Sequence, residues 1–160
     1  MSIDNKVASG PNFVPSYQTS GVPFVTSSAA DEVPSAADVN FAGTPPVVPI
    51  RVKFPFVTRF FAITNTGAGD LRVGFTEVGV QNPTSPGTGD LGPETGRHYF
   101  IVPTGSISSQ RLEIRCTQLF FLSDEVTGYP GSFSLMAGMT GITGSNFPVI
   151  TGSNDFLGVG

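Results

Sequence analysis

The sequence has one cysteine, one histidine, no tryptophan and only 12% charged residues over its 160 positions. Each scarcity excludes a class of answer. With Cys116 alone there is no intramolecular disulfide and no all-cysteine metal cage, so the fold rests on packing. With His98 alone, the converging imidazoles of a cupin-type metal site are missing. One His and one Cys also fall short of the three or four good ligands that zinc requires. A Ser-His-Asp triad would have to use His98, yet no Gly-x-Ser-x-Gly nucleophile elbow occurs. His98 therefore reads as an ordinary surface or interface residue. Cys116, in phase with Leu112 and Ile114, reads as a small buried hydrophobe. No run approaches the roughly 18 uninterrupted apolar residues of a membrane helix, so membrane insertion is not expected. Residues 1–20 contain no apolar core of a signal peptide, and no Asn-x-Ser/Thr acceptor with x other than Pro occurs. Synthesis in the cytoplasm is the expectation. So few titratable groups argue for a structural or binding protein and against an enzyme. No catalytic, cofactor-binding or metal-ligating residue is expected, and no cofactor.

Charge of one sign is also missing where nucleic acid would need it. Residues 1–50 carry a net −3, residues 51–115 a net +2 and residues 116–160 a net −3. Arms that neutralise phosphates need runs of Lys and Arg, and neither terminus has one, so direct nucleic-acid binding is disfavoured. The acid pairs Asp31-Glu32 and Asp124-Glu125 are adjacent in sequence, in arm or turn contexts. Neighbouring strand residues point to opposite faces, so neither pair resembles the facing carboxylates of a glycosidase. The pieces TGAGD and SPGTGDLGPETG lack the Gly-Lys-Ser/Thr of a phosphate loop and read as turns. Three Tyr and no Trp stand against fourteen Phe, a composition suited to cores and dry interfaces more than to sugar-binding platforms.

What is abundant is Gly and Pro, 20 and 14 residues, which points to many short strands and turns. Half of the prolines lie in the first fifty residues. That segment propagates no helix and fits no central strand, and residues 1–46 read as an extended arm. Phe13, Tyr17, Phe24, Val33 and Phe41 recur along it as apolar anchors. Such an arm either clasps a neighbouring surface or is a weakly apolar terminus without a role. From residue 47 strand signals are dense. VVPIRVKF alternates Ile50, Val52 and Phe54 against Arg51 and Lys53. FPFVTRFFAITNTGAGD and LRVGFT read as a hairpin-like pair with a loop of about five residues. HYFIV opens a further strand at His98. RLEIRCTQLFFL changes parity after Cys116, which implies a bulge or turn near Thr117. SFSLMAGMTGI places Phe133, Leu135, Ala137 and Met139 on one side. Residues 79–97 form a long turn-rich loop, a candidate attachment point for a fibre or cap. No apolar stripe of helical period and length occurs. The sum is an all-β chain of about eight short antiparallel strands in a two-sheet sandwich. The β domain spans 47–143, and 144–160 form a C-terminal extension.

The succession VKFPFVTRFFAITNTGAGDLRVGFTEVGV, HYFIV, RLEIRCTQLFFL and SLMAGMTGI resembles the penton, or vertex, proteins of large icosahedral double-stranded DNA viruses. The match covers residues 50–142. The resemblance implies a single jelly-roll antiparallel β-sandwich that forms a homopentamer at five-fold vertices of the virion. Its implied partners are itself, major capsid protein capsomers and minor capsid proteins, and its implied place is the capsid vertex, after synthesis in the host cytoplasm. Two other classes stay open on the residues alone: a trimeric minor capsid, decoration or fibre-base protein, and a soluble β-sandwich ligand-binding module. The mixed charges of residues 51–115, among them Arg51, Lys53, Arg59, Arg72, Arg111 and Glu113, either pair between subunits or are solvated strand faces.

Overall fold

Alternating burial places the strands where the period-two pattern runs. The computed structural model describes residues 21–29, 32–34, 48–81, 98–105, 111–124 and 131–147. Its strands are β1 (Val22–Ser27), β2 (Ile50–Lys53), β3 (Phe56–Asn65), β4 (Leu71–Gly74), β5 (Tyr99–Val102), β6 (Gln118–Ser123) and β7 (Phe133–Thr143). One short helix, α1 (Glu77–Gln81), follows β4, and a 3-10 turn, Gly144–Asn146, follows β7. The strands form two sheets, ordered β1-β7-β3 and β2-β6-β4-β5, with every neighbouring pair antiparallel. The chain is thus all-β with almost no helix, as the composition implies, and its two sheets are consistent with a β-sandwich.

The core lies between the sheets. Phe61 and Ile63 of β3 and Leu135, Ala137 and Met139 of β7 share one buried cluster with Leu71, Val73, Val102, Leu119 and Phe121 of the other sheet. Phe121 and Phe133 stack across the gap with centroids 3.9 Å apart. Each such fully buried side chain contributes about 1.5–3 kcal/mol, so continuous apolar inner faces replace the missing disulfides. The inward set expected for β7 is the one observed: Met136, of opposite parity, is half exposed while Leu135 and Ala137 are buried.

Three differences from the sequence reading have physical causes. The β sandwich includes part of the segment read as an arm, because Val22–Ser27 pairs along its whole length with β7. Its Pro23 is tolerated because β1 is an edge strand, where a missing N–H leaves no central ladder bond unmade. Phe24 meets Phe54 edge to face at 5.2 Å. Val33, fully buried, exchanges backbone hydrogen bonds with Gly131 at 3.0 and 2.8 Å. The remaining arm residues, 1–20, 30–31 and 35–46, lie outside the described residues.

Second, β3 and β4 are not a hairpin. Ile63 and Leu71 both face the core, and the two strands meet across it, in different sheets. Buried Asn65 fixes the crossing: its Nδ2 donates to the carbonyls of Gly69 (2.8 Å) and Val102 (3.0 Å), and its Oδ1 accepts from the Gly67 N–H at 2.9 Å. Gly67 lies so close to the neighbouring chain that an added Cβ would stand 2.7 Å from the Ser132 nitrogen.

Third, the segment before Thr117 is not continuous with β6. Leu112 bridges Phe61 through a pair of backbone hydrogen bonds of 3.0 and 2.9 Å on the open edge of β3. The chain then bends at Thr117 and joins the other sheet as β6. The parity change between Cys116 and Leu119 marks this switch of sheets.

Candidate interaction surface

The groups with chemical potential are built into the scaffold. Cys116 is buried, and the Thr58 hydroxyl holds the bend around it. Thr58 Oγ1 accepts from the Cys116 N–H at 2.9 Å, lies 2.8 Å from the Ile114 carbonyl oxygen to which it donates, and sits 3.4 Å from Cys116 Sγ. Burial pushes the Cys116 thiol up to about 11 from 9.0, against the hydrogen bonds from Thr58 and the Gln118 backbone. A thiol held protonated and covered is a poor nucleophile at neutral pH. His98 immediately precedes β5, and its buried Nε2 makes no hydrogen bond. Glu32 accepts from the Ala29 N–H at 2.7 Å and closes a local turn. Asp31 and Glu125, its counterparts in the two acid pairs, and residues 82–97 of the long loop lie outside the described residues. Among the described residues no group of three His, Cys, Asp or Glu side chains is placed to hold a metal ion.

Much of the mixed charge pairs within the chain. Glu113 bridges Arg111 (2.5 Å) and Arg59 (3.7 Å), and Arg111 lies 3.9 Å from the ring centroid of Phe60. Arg72, on β4, pairs with Asp124 and covers the ring of Tyr99 at 4.7 Å. The exposed pairs of Glu113 contribute little stability individually, whereas Arg72–Asp124 is partly buried; both fix where the side chains lie. Arg51 and Lys53 differ. They project from the outer face of the edge strand β2, with no carboxylate partner among the described residues; Arg51 lies 5.9 Å from the ring centroid of Phe120.

The two outer faces are unequal. On the four-stranded sheet, Thr76 caps α1 by accepting from the Gly79 N–H (3.2 Å), and the helix lays Val80 over Phe120, Leu122 and Tyr99. The three-stranded sheet has no such cover among the described residues. Val25 and Met136 are directly opposed in its register and are 69% and 51% exposed. Next to them in register lies Ala62. This exposed apolar patch of Val25, Met136 and Ala62, bordered by Phe60 under Arg111, is suited to contact with another surface.

A cleft of about 490 Å³ opens at one end of the sandwich, where the turn between β2 and β3, the Thr117 bend and the Gly144–Asn146 turn converge. Its walls carry the rings of Phe54, Phe75 and Phe147, and its rim carries Arg51 and Lys53. No acid lines it. An apolar floor with paired cations takes an anionic group attached to an apolar body.

No protein-family model, curated protein or solved structure matches the chain. Among the described residues no helix is long and apolar enough to cross a membrane.

Proposed function

We propose that the chain is a non-enzymatic structural protein of an icosahedral virion. In this reading it is a single jelly roll, homopentameric at the five-fold vertices, and contacts the surrounding major and minor capsid proteins. Strand order is the observation that carries it. Counting the Leu112 segment as a strand position on the open edge of β3 gives eight positions along the chain. One sheet then runs 1-8-3-6 and the other 2-7-4-5. Two interleaved Greek keys wrap into a jelly roll in that order, and the jelly roll serves capsid subunits, lectins and cupins. Of these three, the capsid subunit fits a chain with one His, no Trp and fourteen Phe. The resemblance of residues 50–142 to vertex proteins supports the same choice. The open apolar face around Val25 and Met136 supplies a surface for a neighbouring subunit.

Native mass spectrometry of the full chain, with imaging of the particles, tests this. The expected species is a closed ring of five copies. A trimer would overturn the vertex assignment in favour of a decoration or fibre-base protein. A persistent monomer that binds glycans would replace it with a soluble ligand-binding module.

A further inference from the structure

The cleft at the end of the sandwich joins a fixed apolar wall to two cations on a strand edge. The wall is held by the backbone: the Phe54 N–H donates to the Thr117 carbonyl at 2.9 Å, and the Phe147 N–H donates to the Gly144 carbonyl at 3.2 Å. Phe147 also packs on Val57 and Ile142. A Cβ on Gly144 would lie 3.4 Å from the Thr117 methyl, so the Gly144–Asn146 turn sits against the bend. Phe75 and Phe147, each partly buried, line the cleft with Pro55, and Phe54 backs them from the core. Arg51 and Lys53 are exposed and stand two residues apart on one face of β2, about 7 Å by the rise of a strand. Gln118 lies opposite Lys53 in the register of β2 with β6 and brings an amide to the same lining.

We propose that this cleft is a binding site for a medium-chain fatty carboxylate, its carboxylate between Arg51 and Lys53 and its alkyl chain along Phe75 and Phe147. Charge complementarity selects the head group. Among the described residues the lining holds two cations and no acid, and neither cation has a carboxylate partner, whereas Asp70, Glu113 and Asp124 are each engaged elsewhere by Thr104, the two arginines and Arg72. Two cations match a single small anion. A nucleic-acid backbone draws on longer runs of Lys and Arg and would meet apolar walls here. The walls select the body. Phe, Pro and Cys side chains offer no strong hydrogen bond to a sugar or a base, but a run of methylenes needs none. At about 490 Å³ the cleft is in the size range of small-molecule sites. The site is complete in one copy of the chain, so the inference does not rest on the capsid reading.

Amide NMR of the full chain titrated with octanoate, octan-1-ol and octyltrimethylammonium tests this without any substitution. Octanoate should bind about tenfold more tightly than the alcohol, and the ammonium should not bind. Hexanoate, two methylenes shorter, should bind about tenfold more weakly than octanoate. The amides that shift should be those of Lys53, Gln118 and Gly144, with Val25 and Met136 of the open face unmoved. Arg51→Gln with Lys53→Gln removes both charges from exposed positions of an edge strand. The thermal transition should then stay where it is while octanoate affinity falls to that of the alcohol. Absence of octanoate binding, equal affinity for the acid and the alcohol, or unchanged octanoate affinity in the double variant would overturn the inference. Shifts centred on Val25 and Met136 would overturn it too, by assigning the amphiphile to the open face.

Discussion

Thr58 shows how much of this fold depends on single polar atoms. It is fully buried, and its hydroxyl joins β3 to the bend that carries the chain from one sheet to the other. Valine has nearly the same shape but no hydroxyl, so Thr58→Val leaves the Cys116 N–H and the Ile114 carbonyl without this partner. An unsatisfied buried group costs about 1–3 kcal/mol. The expected outcome in urea titration is an unfolding free energy lower by that amount, seen as a lower midpoint with an unchanged slope. Beside it, Cys116 makes a prediction about pH. Its folded value, about 11, lies above the ordinary 9.0, so the native state holds the proton more tightly than the unfolded chain. Stability from this group is therefore complete below pH 9 and is lost as pH rises toward 11. The contribution is about 2–3 kcal/mol at most, from 1.36 kcal/mol per unit. In stability measured between pH 8 and 10.5, Cys116→Ala should be less stable at pH 8 and show a shallower alkaline decline. Equal declines in the two proteins would mean that the thiol is not what titrates.

Elements differ in how legible they were, and the difference follows the range of the forces that make them. β2 and β7 were readable because alternation is local: Ile50 and Val52 turn inward and Arg51 and Lys53 outward within four residues; β5 and β6 were readable as short apolar and aromatic runs, β6 being buried on both faces. The bend at Thr117 was readable for the same reason, as a break in parity. β1 was hidden because a proline-rich stretch is poor strand material until an edge position removes the penalty. The crossing from β3 to β4 was hidden because a short Gly-rich loop serves a hairpin and a sheet-to-sheet crossing equally well. Asn65 decides between them through a hydrogen bond to Val102, thirty-seven residues away. The cleft was not legible in the sequence, since Phe147 and Gly144 arrive from the far end of the chain to meet Arg51 and Lys53. Helix α1, at five residues, is too short for any apolar period, although Thr76 carries its capping signal. It is held by its seat: a Cβ on Gly74 would overlap the Val80 methyl and stand 2.9 Å from the His98 carbonyl oxygen. Gly74→Ala should therefore displace α1 and cost about 1–3 kcal/mol by overpacking. Hydrogen exchange should rise first at Val80 and at the neighbouring β5, before the β1-β7-β3 sheet is affected.

At the scale of the whole molecule, the two sheets divide the work. One is closed on its outer side by α1, and the other presents Val25 and Met136 to the outside. Removing the segment first read as an arm separates what folds the chain from what assembles it. Deleting residues 1–46 takes away β1 and the buried Val33, so cooperative unfolding should be lost. Deleting residues 1–20 leaves every described strand in place and should preserve the transition. The open face is tested more directly by charge. Val25 and Met136 are opposed in register, so Val25→Asp with Met136→Asp puts two like charges side by side on the surface offered to a neighbour. Both side chains are more than half exposed, so the isolated fold should lose about 1 kcal/mol or less. At an interface the same two carboxylates would be desolvated without partners, which costs several kcal/mol per contact. If the proposed ring of five uses this face, that cost is repeated at every contact, and the assembly should fall apart to monomers that remain folded. Native mass spectrometry beside thermal denaturation reads both quantities at once. Intact pentamers in the doubly charged variant would remove this face from the proposed assembly.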